Sequence, residues 1–306
     1  MSGSLLRRGL LALVLVTGFA ASATAQPAAR LQGFPTADAA AAALTDAVRS
    51  KNIKAIASMF GNDWRDFVPA DADERDRRRA NFLAAWDESH KVTVTDGTKA
   101  VVEVGKSGWT LPVPIFKDGA EWRFDIEAGR KEMWARQIGR DELAVIQTLL
   151  AIVDAQRDYA ALDPMKTGAP AYARRLLSSP GRKDGLYWEA PAGQPQSPLG
   201  PAVAKAQAGS STPDGHYGYN FRLLYAQGPA APGGARDYIV GGRMIGGFGV
   251  IAWPLRYGET GVMTFIVSQS GDVYQRDLGP ETAQRAAAIV VFNPDKDWTK
   301  ADMTPP

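Results

Sequence analysis

Residues 91–126 read KVTVTDGTKAVVEVGKSGWTLPVPIFKDGAEWRFDI, and their apolar residues recur at nearly every second position. Val92/Val94, Val101/Val102/Val104, Leu111/Val113/Ile115 and Trp122/Phe124/Ile126 make four such runs. They are separated by Asp96-Gly97, Ser107-Gly108 and Asp118-Gly119. Side chains on a strand alternate between faces, and Asp-Gly pairs supply the positive φ that tight hairpins require. The segment therefore predicts a four-stranded antiparallel meander.

On its N-terminal side the period changes to that of a helix. Thr36 is a candidate N-cap, with Asp38 in the first turn and Ala40, Leu44 and Ala47-Val48 as the apolar stripe. Asn52 caps a second helix carrying Ile53, Ile56, Met59 and Phe60, stopped by Gly61. A third runs from about Asp73 to His90 with Phe82, Leu83 and Trp86 inward. Its Arg75, Arg77 and Arg78 sit four residues after Asp71, Asp73 and Glu74, the order that favours ion pairs on a solvated face over a nucleic-acid surface. Helices followed by a meander specify an α+β fold, in the element order of cystatin-like or nuclear-transport-factor-like cones.

On its C-terminal side a helical stretch from Ala128 reaches Ile138-Gly139. A longer helix then spans Asp141 to about Leu162, with Leu143, Ile146, Leu149, Leu150 and Val153 as its stripe. Five prolines (191, 195, 198, 201, 213) mark a long irregular crossing, with one short helix near Val203. Strand patterns follow at Tyr219–Tyr225, Tyr238–Val240, Phe248–Trp253, Val262–Val267 and Val273–Gln275, and Pro280-Glu281 opens a last helix. The expected organisation is a first α+β domain over 34–138 and a second over 139–298. Tails at 26–33 and 299–306 are expected to be disordered.

Residues 1–25 have the pattern of an export signal: Arg7-Arg8, an apolar stretch from Gly9 to Ala21, and Ala23-Thr24-Ala25 as the small-x-small site. The apolar stretch, at 1.5 Å per residue, spans about 20 Å, too short for a bilayer core of about 30 Å. The expectation is cleavage after Ala25 and a periplasmic or secreted protein with no transmembrane anchor. The paired arginines also suit a twin-arginine route, though a short basic stretch needs only general secretion. Removing residues 1–25 takes two of the 35 basic residues and none of the 33 acidic ones, leaving charge balanced. A neutral chain argues against nucleic acid as partner.

The chain has no cysteine and two histidines. That excludes disulfide frameworks, thiol nucleophiles, Cys-ligated zinc and iron–sulfur clusters. Gly105-Lys106-Ser107 lacks the first glycine of a phosphate loop, since position 100 is alanine. Gly247-Phe-Gly249-Val-Ile-Ala252 runs into Trp253-Pro254, so no helix follows to receive a pyrophosphate. Asn293, Asp295 and Asp297 have calcium-loop spacing, but Trp298 and Thr304 stand where glycine and glutamate belong. Neither Gly-x-Ser-x-Gly nor His-Glu-x-x-His occurs. No metal and no cofactor is expected.

Several motifs together resemble the bacterial domain-of-unknown-function 2950 family over about residues 34–298. They are Trp109-Thr-Leu-Pro112-Val-Pro114, Trp122-Arg-Phe-Asp125, Ile138-Gly-Arg-Asp-Glu-Leu143 and Gly185-Leu-Tyr-Trp188. Ser197-Pro-Leu-Gly-Pro201, Ala226-Gln-Gly-Pro-Ala-Ala-Pro-Gly-Gly234 and Gly261-Val-Met-Thr-Phe265 complete them. Asp141 and the loop Asp163-Pro164-Met165-Lys166 depart from that pattern, and the second departure weakens any imported cation site. The resemblance implies an exported envelope protein and brings no activity with it. Residues 141–278 also have the order of type IV pilin and pseudopilin globular domains, without the membrane half of the pilin helix.

The best candidate site is aromatic: Tyr187-Trp188 and His216-Tyr217-Gly218-Tyr219 flank the proline-rich crossing, and Arg243 lies in a glycine-rich stretch. Rings with polar tips stack on sugars or extended peptides at low entropic cost. Three functions follow as expectations. The first is a non-catalytic module binding an envelope protein or polymer. The second is a hydrolase acting through Asp125 or Asp184 with His216, and the third a carrier of a small apolar ligand inside the first domain.

Overall fold

The computed structural model describes residues 31–191, 193–206 and 215–302. The expected export signal at 1–25, the tail residues 26–30 and the last four residues lie outside them. The chain divides into two compact units, 1–126 and 127–306.

In the first unit α1 (Ala37–Arg49) and α2 (Ile53–Phe60) start on the expected caps. The Thr36 hydroxyl accepts from the Ala39 N–H, and the Asn52 side chain from Ala55. A 3-10 turn over Gly61–Phe67 leads to α3 (Ala72–Glu88). Of the three expected ion pairs on α3, only Glu74–Arg78 forms, at 2.7 Å. Asp71 is instead the N-cap, accepting from the Glu74 N–H, and Arg77 turns to Glu74 three residues back.

The sheet contains β1 (His90–Thr95), β2 (Lys99–Val104), β3 (Trp109–Thr110), β4 (Ile115–Asp118) and β5 (Glu121–Phe124), all antiparallel. The third expected strand is thus two short ones, because Pro112 and Pro114 have no N–H to give the ladder. Ala100, Val102, Val104, Ile115, Trp122 and Phe124 face α1 and α2 and pack on Met59 and Phe60. These side chains form the core of this unit. Trp109 is 44% exposed on the two-residue β3.

The second unit is built on α4, one unbroken helix over Ile126–Leu162. The sequence predicted a break at Gly139. A helical glycine costs only about 1 kcal/mol, and i,i+4 pairs lead up to it and span it: Glu127–Lys131 and Glu132–Arg136 before it, Gln137–Asp141 across it. The crossing from 163 to 206 is anchored rather than loose: Ala173, Leu176, Leu186, Trp188, Leu199 and Ala204 are buried against α4. Gln156, fully buried, pairs its amide with both backbone groups of Ala173, as a strand would. The short α5 (Pro201–Lys205) follows, with proline at its start.

β6 (Tyr219–Leu224), β7 (Ala226–Gln227), β8 (Arg236–Asp237), β9 (Ile239–Val240), β10 (Arg243–Met244), β11 (Gly249–Pro254), β12 (Met263–Ser268), β13 (Val273–Asp277), α6 (Thr282–Ala288) and β14 (Thr299–Lys300) complete the unit. The main sheet has the order β14-β13-β12-β11-β6, antiparallel throughout. Alternation divides its side chains between two cores. Tyr219, Phe221, Val250, Ala252, Phe265 and Val267 pack with α4, whereas Leu224, Ile251, Trp253 and Ile266 pack with Ala286 of α6 and Phe292. Because both faces are covered, β11 is buried along its whole length. Residues 299–300, expected in a disordered tail, form an edge strand instead, with Tyr274 opposite Lys300 and Gln275 opposite Thr299. Lys300 holds that edge by an ion pair to Asp272 at 2.7 Å.

Candidate functional site

The turn that opens β6 is set by backbone geometry. His216 and Tyr219 exchange both backbone hydrogen bonds, each 3.1 Å, around a two-residue loop. Tyr217 and Gly218 both have positive φ, 51° and 70°, as a type I′ hairpin demands. Glycine takes that conformation freely; for tyrosine it costs about 1–2 kcal/mol. Tyr217 is nevertheless 50% exposed, its ring 4.4 Å from that of His216. A strained, exposed aromatic residue is a functional pointer.

The Gly218 carbonyl accepts from the Leu255 N–H at 2.9 Å, at the start of the β11–β12 connection. Two side chains of α4 hold the rest of that connection. The Trp134 indole donates to the Glu259 carbonyl at 3.1 Å, and Glu142 Oε1 accepts from the Val262 and Met263 N–H groups at 2.8 and 2.9 Å. Trp134 and Glu142 are eight residues apart, about 12 Å along the helix axis. The connection is thus tethered at three points, which fixes the aromatic residues beside it. Trp134 is 51% exposed although its N–H is satisfied. Arg256 and Glu259 pair at 2.6 Å, and the Tyr257 hydroxyl donates to Asp277 at 3.1 Å. The Asp277 interaction first, then burial, raises the Tyr257 phenol above its ordinary range. Trp134 and Tyr217 therefore border one ordered polar loop.

The other residues expected at the site lie elsewhere. Tyr219 is fully buried. Its hydroxyl donates to the Met263 carbonyl at 3.0 Å and lies 3.2 Å from Glu142 Oε1. Burial first, then the Glu142 charge, keeps this phenol protonated well above its usual range. Trp188 is 7% exposed, edge-on to Tyr159, with Lys183 Nζ 5.3 Å over its ring. Both are core anchors, a correction with a simple cause. Tyr219 alternates with Phe221 and Leu223, and Trp188 with Leu186, so each shares the buried face. Tyr187 is half-buried, its N–H donating to the Leu176 carbonyl. Arg243 is committed to the backbone: its guanidinium binds the Thr167 hydroxyl and the Ala169 carbonyl, beside Asp163. Both bonds run through Nη2.

Nor do His216 and Asp184, two of the expected hydrolytic groups, hydrogen-bond each other. His216 is half-buried, burial lowers its pKa, and no carboxylate among the described residues hydrogen-bonds it. Burial pulls Asp184 upward, but the Ser179 N–H and hydroxyl, at 2.7 and 2.9 Å, outweigh it and hold the carboxyl below its usual range. His90 stacks on Trp86 at 3.9 Å, with Nδ1 3.0 Å from the Trp86 carbonyl. Among the described residues no group of His, Asp and Glu is placed to hold a metal ion, and no helix is long and apolar enough to cross a membrane.

Trp134 was not singled out from the sequence, where it sits among Arg130, Lys131, Glu132, Arg136 and Gln137. The available signal was a lone tryptophan on an otherwise charged helical segment. A family model described as "Protein of unknown function (DUF2950)" matches residues 31–301. No curated protein and no solved structure matches.

Proposed function

The chain belongs to the DUF2950 family, whose description assigns no activity, and we propose that it is an exported envelope protein that binds a protein or polymer partner without transforming it. Export is supported by the sequence of residues 1–25, in which a basic pair, a short apolar stretch and Ala23-Thr24-Ala25 follow one another. Binding is supported chiefly by one observation: Trp134 and Tyr217, each half exposed, flank a loop that three hydrogen-bonded tethers hold in place. Exposed aromatic residues on a pre-ordered frame are what recognition surfaces use, because little freedom is lost on contact.

The experiment is capture of envelope components on the immobilised mature protein, with Trp134→Ala and Tyr217→Ala beside it. Loss of the same retained species in both variants, with unfolding transitions near that of the parent, supports the proposal. An unchanged set of retained species refutes it. Mass spectrometry of the exported protein should find Gln26 at its N-terminus.

A further inference from the structure

Two of the stretches on which the family resemblance rests, Ile138–Leu143 and Gly261–Phe265, meet at Glu142. Beside it opens a cleft of about 190 Å³ lined by Gly139, Leu143, Ile146, Met263, Phe265 and Gln275, with Glu142 and Asp302 as its carboxylates. Small-molecule sites usually enclose roughly 300–1,000 Å³. This cleft is the size of one long side chain.

We propose that the cleft receives the side chain of a lysine presented by a partner polypeptide. Among the described residues its walls are mainly aliphatic and aromatic, matching a tetramethylene stem, with Gln275 as the polar neutral group, and its only charged groups are anionic. The state of Glu142 separates lysine from arginine. Oε1 already accepts from the Val262 and Met263 N–H groups and lies 3.2 Å from the Tyr219 hydroxyl, whereas Oε2 takes no hydrogen bond from the described residues. One free oxygen suits the point charge of an ammonium, while a guanidinium fork seeks both oxygens of a carboxylate. The Val262 and Met263 bonds also fix the carboxylate in place before any ligand arrives. Asp141, whose carboxylate accepts from Gln137, adds negative charge nearby.

The proposal names the chemistry of a partner and so rests on the binding reading, but its test does not need that partner. The probe is Nα-acetyl-lysine-N-methylamide, followed through the Met263 and Leu143 methyl resonances of the mature protein. The expected result is saturable shifts at millimolar probe, at least tenfold weaker for the norleucine analogue, which keeps the stem and lacks the charge. Glu142→Gln should weaken binding at least fivefold, since its amide oxygen can still accept from Val262 and Met263. If that variant does not fold, the norleucine comparison on the parent protein decides instead: shifts at least tenfold weaker support the proposal. Equal shifts from norleucine, or none from the lysine probe, overturn it. The probe reads the cleft without any partner, and partner capture reads the aromatic surface, so failure of the aromatic surface and failure of the cleft are read separately.

Discussion

Replacing Tyr217 by asparagine should make the protein more stable and less able to bind. Tyr217 holds φ at +51° beside Gly218 at +70°, in a loop closed by two backbone hydrogen bonds. A left-handed conformation costs an ordinary residue about 1–2 kcal/mol, which asparagine largely avoids, and Asn-Gly is the preferred pair for this turn. Against that gain stands the contact with the His216 ring, centroids 4.4 Å apart, worth about 0.5 kcal/mol for a half-exposed pair. The net expectation is stabilisation by about 0.5–1 kcal/mol, or roughly 1–4 °C in Tm for a unit of this size. Thermal and denaturant unfolding measure the first half. Partner capture measures the second, where loss of a central aromatic contact should weaken binding about tenfold, some 1.4 kcal/mol. Destabilisation with unchanged binding would refute the reasoning, because Tyr217 would then be a pin holding the turn.

Gly261→Ala should destabilise by about 2–3 kcal/mol, since its methyl group would collide with the buried ring and hydroxyl of Tyr219; denaturant unfolding checks this. Arg222 donates to the Ala286, Ala287 and Ile289 carbonyls at the end of α6. Arg222→Ala should cost about 2–3 kcal/mol in the same assay, with Arg222→Lys recovering less than half because a single ammonium lacks the guanidinium fork. For His216 the folded pKa is lowered by burial, so the unfolded chain takes up the proton first as pH falls. Its contribution to stability is complete above the unfolded value of about 6.5 and is lost as pH falls from there through the lower folded value. His216→Gln should flatten that part of the stability–pH curve.

Much of the fold was legible because it rests on local signals. Thr36 and Asn52 cap as their positions predict, and the alternation of residues 91–126 forms the expected sheet, apart from the interruption that Pro112 and Pro114 impose. The length of α4 was hidden because Gly139 reads as a stop, while the pairs that carry the helix past it are worth only tenths of a kcal/mol each. The site was only half legible. Aromatic composition marked the turn at 216–219 but could not separate exposed Tyr217 from buried Tyr219, two residues on; the period of β6 could have. The three tethers join residues far apart in the chain, as Trp134 does with Glu259, and no spacing rule reaches that far. Edge strand β14 was missed for a related reason: two residues are too few to show a period.

The most direct test places a photo-crosslinking amino acid at position 134, 217 or 290 in turn and irradiates intact cells. Val290 is 64% exposed and serves as the control surface. Positions 134 and 217 should give the same adduct in the envelope fraction and position 290 should not. Adducts of equal yield from all three positions, or protein confined to the cytosol with residues 1–25 attached, would contradict an exported protein that meets its partner through Trp134 and Tyr217.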